Sequence, residues 1–254
     1  SLIPNSAGLA AGAIATGIVV SVKQSPFLAK GDGVTDDTAA IQAAIDYAYT
    51  IGAEVFFPGG TYIVGTLDVP TGAKMRGSGY MQTHLKRTTD VTILSLIGAA
   101  STGGAFQPTM YGVTISDMDI TSQGMVSSEP LILIRGGSAL AFTRVRMQSY
   151  SGTAPLLDCA QVWDSRFVSC LFHGGGNIDG SVGAVRLRAG IDGYGQTKES
   201  IFANCWWESY NGPGIEISRP DDYTATKCEM IYFAGSKMES LTCVAPSIAV
   251  QGNN

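Results

Sequence analysis

The chain has 254 residues, 45% hydrophobic and 15% charged, which is enough apolar material for a long core and too little charge for a disordered segment. Its formal net charge is −5, with no Lys/Arg cluster, so the field that draws a phosphate backbone is missing and no nucleic-acid partner is expected. Thirty-two glycines against 16 Lys and Arg predict many short strands joined by turns rather than a helical bundle.

Residues 9–20 (LAAGAIATGIVV) are apolar, but Lys23 follows closely and a membrane span needs about 20 such residues. No membrane insertion is expected. The basic stretch that precedes a signal-peptide core is absent here, and the chain opens on Ser1 rather than Met, so its first residue is expected to be an artificial boundary. Residues 1–26 are read as a lead-in and residues 27–254 as one domain.

A helix follows. Thr35, Asp36 and Asp37 offer oxygen acceptors and negative charge at its start, and Ala40, Ile41, Ala44, Ile45 and Ala48 share one face. Gly52 ends it. Strand-like Glu54–Phe57, a turn at Pro58-Gly59-Gly60 and strand-like residues 61–64 come next, and no second helix is predicted.

The second half repeats. Four segments beginning at Phe142, Phe167, Phe202 and Phe233 share one pattern, and a weaker copy (ISDMDITS) begins at Ile115. Their starts lie 27, 25, 35 and 31 residues apart, as expected of coils whose loops vary in length. Apolar residues fall at positions one, four and six, as in Phe202, Cys205 and Trp207, with Ser236 the exception at position four of the last unit; this is neither helical spacing nor simple alternation. A strand ending at position one, a tight bend at positions two and three, and a second strand turn all three inward. Asn204 and Gly235 suit the bend because they tolerate a left-handed backbone. Stacked coils of this kind make a parallel β-helix, with Phe142, Phe167, Phe202 and Phe233 in one inward column and Val145, Cys170 and Cys205 in another. The five cysteines (Cys159, Cys170, Cys205, Cys228, Cys243) lack paired C-x-x-C spacing and are read as core thiols rather than zinc ligands or a disulfide framework.

The run from Ala29 to Ile45 (AKGDGVTDDTAAIQAAI), then Val55 to Val64 (VFFPGGTYIV) and Met75-Arg-Gly-Ser-Gly79, resembles the opening of the pectate-lyase-like superfamily. The resemblance implies an all-β fold: a single-stranded right-handed parallel β-helix, a solenoid whose N-terminal α-helix caps the first coil and hides its unpaired edge. It makes Asp32, Asp36 and Asp37 cap residues rather than a metal site, and no metal or other cofactor is expected. Together with the lead-in, it is similar to bacteriophage tailspikes, implying a homotrimer on the virion tail, extracellular when acting on a host surface.

Candidate chemistry comes from the repeat register. Positions five and seven point outward, giving the columns Arg146, Leu171, Trp206, Lys237 and Gln148, His173, Glu208, Glu239. Glu208 and Glu239 then stack on adjacent coils, where like charges are unfavourable unless they have solvent, a cation or a role. Retaining glycosidases hold two carboxyl groups about 5–5.5 Å apart, so this pair is the catalytic candidate. Trp206, His173, Arg166 and Tyr232 are the substrate-binding candidates, with Arg166 or Tyr232 also able to serve a lyase. Asp158, Asp164, Glu199, Asp221 and Asp222 are further acids that spacing does not rank, and the loop from Gly174 to Lys198, with Asp179 and Asp192, is the alternative place for a sugar. The polygalacturonase motifs Asn-Thr-Asp, Gly-His-Gly and Arg-Ile-Lys are absent from this sequence, which argues against pectin.

The function expected is a tailspike-type depolymerase that cleaves a bacterial capsule or O-antigen by hydrolysis. Two alternatives stand beside it: a polysaccharide lyase, or a non-catalytic glycan-binding or structural β-helix that is the shaft of a longer protein.

Overall fold

The computed structural model describes residues 17–100, 108–122, 125–149, 153–177, 179, 181–218, 228–239 and 248–251. Strands pair with the strand one coil away, and all the pairings between named strands are parallel. The chain is a single-stranded right-handed parallel β-helix, and among the described residues it has one short helix. Val19–Ser21 already pairs with Glu54–Phe57, so the ladder starts within residues 1–26; residues 1–16 lie outside the described set.

Three inward columns run along the solenoid. One climbs from Val20 through Val55, Met75 and Ile115 to Phe142, Phe167, Phe202 and Phe233. A second passes from Tyr62 through Leu85, Ile120, Met147, Phe172 and Trp207 to Met238. A third joins Leu67, Leu94, Ile132, Leu157, Val185 and Ile215. The phenylalanine column is the one the repeat predicts, its rings stacked at centroid distances of 5.0, 4.6 and 5.3 Å. Phe233 is only half-buried whereas the three before it are fully buried. Val145, Cys170 and Cys205 are buried as expected; Cys243 lies outside the described residues.

The bend at position three is left-handed in every copy: Asp117, Arg144, Ser169, Asn204 and Gly235 have φ of 58°, 52°, 54°, 52° and 60°. Gly, and to a lesser degree Asn and Asp, enter this region readily, so ladder pairing on both sides holds Arg144 and Ser169 there. A β-branched side chain tolerates it worst. Ser169→Val is therefore expected to lower stability by about 1–2 kcal/mol and Ser169→Gly to leave it nearly unchanged, as measured by denaturant midpoints. Equal stability of the valine variant would mean that the corner is not constrained.

The helix spans Thr38–Ile51 and buries Ile41, Ala44, Ile45 and Ala48 against the first coils. Gly52 closes it with φ 66°, its N–H turned to the Ala48 and Tyr49 carbonyls. The acids at its start are occupied locally. Asp37 accepts from the Lys30 and Gly31 amides, Asp36 from the Thr38 amide, and Asp32 from the Val34 and Thr35 amides. The Thr35 and Val34 amides hold Asp32 at a pKa of about 2. Gly77, in the run shared with the superfamily, lies so close to the next coil that a Cβ there would sit 2.1 Å from the Asp117 carbonyl oxygen.

Candidate functional site

The face that carries the second inward column has two outward columns. The first reads Thr61, His84, Asp119, Arg146, Leu171, Trp206 and Lys237. Two residues along, Lys86, Thr121, Gln148, His173, Glu208 and Glu239 form the other. Glu208 and Glu239 are direct partners on adjacent coils, where strand spacing is about 4.8 Å. Trp206 stands beside them, 41% exposed.

Lys237 ties the pair to the tryptophan. Its Nζ lies 2.5 Å from a Glu239 carboxylate oxygen and 5.3 Å from the Trp206 ring centroid. His173 is the register partner of both Gln148 and Glu208. Burial, joined by the charge of Arg146 and opposed by that of Glu208, pushes the imidazole pKa down. Gln148 departs from its expected outward exposure: it is buried, whereas His173 and Glu208 beyond it are half-buried and Glu239 is exposed.

The His173 shift has a consequence for stability. Between the lowered folded pKa and the ordinary unfolded value near 6.5, the unfolded chain binds a proton that the folded chain does not. Stability therefore falls as pH drops through about 6.5. A His173→Gln variant is expected to lack that part of the fall, so its melting temperature should gain on the unmodified protein as pH drops below about 6.5. Parallel curves for the two proteins would contradict the assignment.

Arg166 and Tyr232 sit elsewhere. They share a column with Ala141 and Ile201, on the strands before the left-handed corner, and so on the neighbouring face rather than beside Glu208. Both are exposed. Asp158 is buried and clasped by Arg188, at 2.9 Å from Nε and 2.5 Å from Nη2, with Arg135 also in reach; it is an ion-pair centre on the third face. Asp164 and Glu199 occupy left-handed corner positions, with φ of 49° and 54°. Asp221 and Asp222 lie outside the described residues. In the loop after Gly174, Asp179 accepts from the Ser181 amide and Asp192 is exposed, while Tyr194 Oη donates to the Gly98 carbonyl at 2.8 Å and ties the loop across earlier coils.

Sequence reasoning missed the start of the outward column. Asp119 is fully buried, its Oδ2 lying 2.9 Å from His84 Nδ1 and also accepting from Arg146 Nη2. The signal was present, because Asp119 occupies position five of the weak copy starting at Ile115, directly under Arg146. Next to this cluster is a groove of about 310 Å³ that reaches Tyr80 on one side and Trp206 on the other.

A model of the family described as Rhamnogalacturonase A/epimerase, pectate lyase-like, matches residues 19–161, more than half of the chain. The non-secreted LysM effector LysM19 of Penicillium expansum is 29% identical over 151 residues, which cover 59% of this chain and 10% of that protein. The mannuronan C5-epimerase AlgE2 of Azotobacter vinelandii is 45% identical over 69 residues, 24% of this chain and 7% of that protein. The chain thus spans a tenth or less of the length of these curated relatives. Among solved structures, ORF18 of Geobacillus virus E2 is similar with a TM-score of 0.73 at 22% identity, over 92% of this chain and 47% of that one. The N-terminal fragment of bacteriophage Phi29 gene product 12 has a TM-score of 0.60 at 14% identity, over 91% of this chain and 43% of that one. At such identities the likeness is one of fold.

Proposed function

Since the chain belongs to the rhamnogalacturonase A/epimerase, pectate lyase-like family, we propose that it is a tailspike-type depolymerase that binds and hydrolyses a bacterial surface polysaccharide, capsule or O-antigen. The observation that carries this reading is the in-register pair Glu208 and Glu239 beside an exposed tryptophan. Two carboxyl groups one coil apart suit the short separation that a retaining mechanism uses. In that mechanism one carboxylate attacks the anomeric carbon, while the other gives its proton to the departing glycosidic oxygen. The Lys237 ammonium holds the Glu239 side chain in place, which suits the nucleophile, and leaves Glu208 as the acid. Trp206 presents an apolar ring to a sugar face, with His173 as a neighbouring contact. Arg166 and Tyr232, on the adjoining face, are proposed as contacts for a longer glycan.

The proposal includes a homotrimer on a virion tail, acting outside the host cell. Fold similarity to proteins of Geobacillus virus E2 and bacteriophage Phi29 supports that location. The test is incubation with capsule and O-antigen from candidate hosts, following reducing ends and the absorbance of an unsaturated uronate. Reducing ends without the chromophore are expected. The chromophore would move the assignment to elimination, and retention of glycan with neither product would make the same face a binding surface only.

A further inference from the structure

The groove between Tyr80 and Trp206 has a composition that selects its ligand. It follows three coils, between the left-handed corner column and the first outward column, and its lining includes Arg144, Arg146, Leu171 and Asn204. Tyr80 and Trp206 are 51% and 41% exposed, and Leu171 between Arg146 and Trp206 makes the floor apolar. Lys237 belongs to the coil after Trp206, its Nζ 5.3 Å from the indole centroid, while Leu171 and Arg146 belong to the coils before it. Concave shape, exposed aromatic rings and a few directed polar groups are what a sugar ring needs.

Charge decides which sugar. No carboxylate lines the groove, yet each guanidinium in it is already matched from behind. Arg144 makes a bidentate pair with Asp117, at 2.5 and 2.9 Å, and Arg146 bonds to the fully buried Asp119. Lys237 is matched by Glu239. The surroundings are therefore rich in fixed donors but close to neutral. A carboxylate-bearing sugar would lose its hydration there without a net attraction in return. Hydroxyl groups lose much less, and a planar guanidinium held rigid by its carboxylate presents paired N–H donors that make up for it.

We propose that this groove is a subsite for an uncharged pyranose residue, a neutral hexose or deoxyhexose, stacked on Trp206 with its hydroxyls bonded to Arg144, Arg146 and Asn204. The inference rests on the carbohydrate-acting reading above but not on catalysis by Glu208 and Glu239. It places neutral sugar, rather than a uronate, next to the carboxyl pair.

The test uses the full chain on an array of glucose, mannose, galactose and rhamnose oligosaccharides printed beside oligogalacturonate and oligomannuronate, with reducing ends followed on the same samples. Binding to neutral members is expected, unchanged in about 0.5 M sodium chloride. It should weaken roughly 10-fold or more in Trp206→Ala and in Tyr80→Ala, two exposed positions whose replacement leaves the core intact. Melting temperatures of both variants serve as the folding control. Salt-sensitive binding to the uronate oligosaccharides alone would overturn the subsite while leaving a glycan-acting protein. Binding to neutral members that both variants keep in full would also overturn it. Retention of neither class would sink the subsite and the proposed function together, whereas neutral binding without reducing ends would remove only the catalytic pair.

Discussion

Replacing Glu208 or Glu239 by Gln is expected to lower the rate of glycan cleavage at least ~100-fold, the lower end of what a positioned acid or base contributes. Both replacements keep shape and hydrogen-bonding capacity and remove only the ability to ionise. Glu208 is half-buried and Glu239 exposed on the outward face, so neither change opens a cavity and glycan retention should survive. The two variants should differ in kind. Glu239→Gln removes the proposed nucleophile and leaves the Lys237 ammonium without its carboxylate, whereas Glu208→Gln removes the proposed acid and keeps that ion pair. Reducing-end release from capsule, read beside retention on immobilised polysaccharide, measures both properties. Full activity in either variant would remove that residue from the chemistry, and loss of retention along with rate would assign it to binding.

The phenylalanine and cysteine columns were legible because side chains at equivalent positions of stacked coils have no choice but to meet. Phe142, Phe167 and Phe202 therefore showed their stacking in the sequence, despite loops of unequal length between them. The corner was legible only in part. Asn204 and Gly235 announce a left-handed backbone, but Arg144 and Ser169 adopt the same φ because neighbouring coils impose it, and residue type alone does not reveal that.

The site divides in the same way. The pairing of Glu208 with Glu239 and of Trp206 with Lys237 follows directly from the register. The grouping of Arg166 and Tyr232 with them did not survive, since one left-handed residue separates the two strands of each coil and sends their outward side chains to different faces. Burial was the least legible quantity. Gln148 and Asp119 occupy outward positions yet are buried. Outward in a solenoid means away from the core, while exposure depends also on which neighbouring side chains and loops fold over that face. Asp119 shows the difference, covered as it is by His84 and Arg146 from the coils on either side.

Truncating Phe202 to Ala is expected to cost about 3–5 kcal/mol, more than the same change at any other ring of its column. Phe202 lies between Phe167 at 4.6 Å and Phe233 at 5.3 Å, with Trp207 at 5.7 Å across the core, so its removal strips contacts from two faces and an edge at once. Phe233 is only half-buried and has less to lose, and Phe233→Ala should cost clearly less. Because each coil touches only its neighbours, the damage should also be local. Amide exchange is expected to quicken in the strands Arg166–Val168 and Cys228–Ala234, which flank Phe202 in the ladder, and to stay slow in Glu54–Phe57 and Lys74–Gly77 near the helix cap. Denaturant midpoints for the two variants test the ranking and residue-resolved exchange tests the locality. An equal cost at Phe233 would show that the described last coil is as well packed as those before it. Uniformly faster exchange would show that the coils unfold as one cooperative unit, in which the cap senses a hole several coils away.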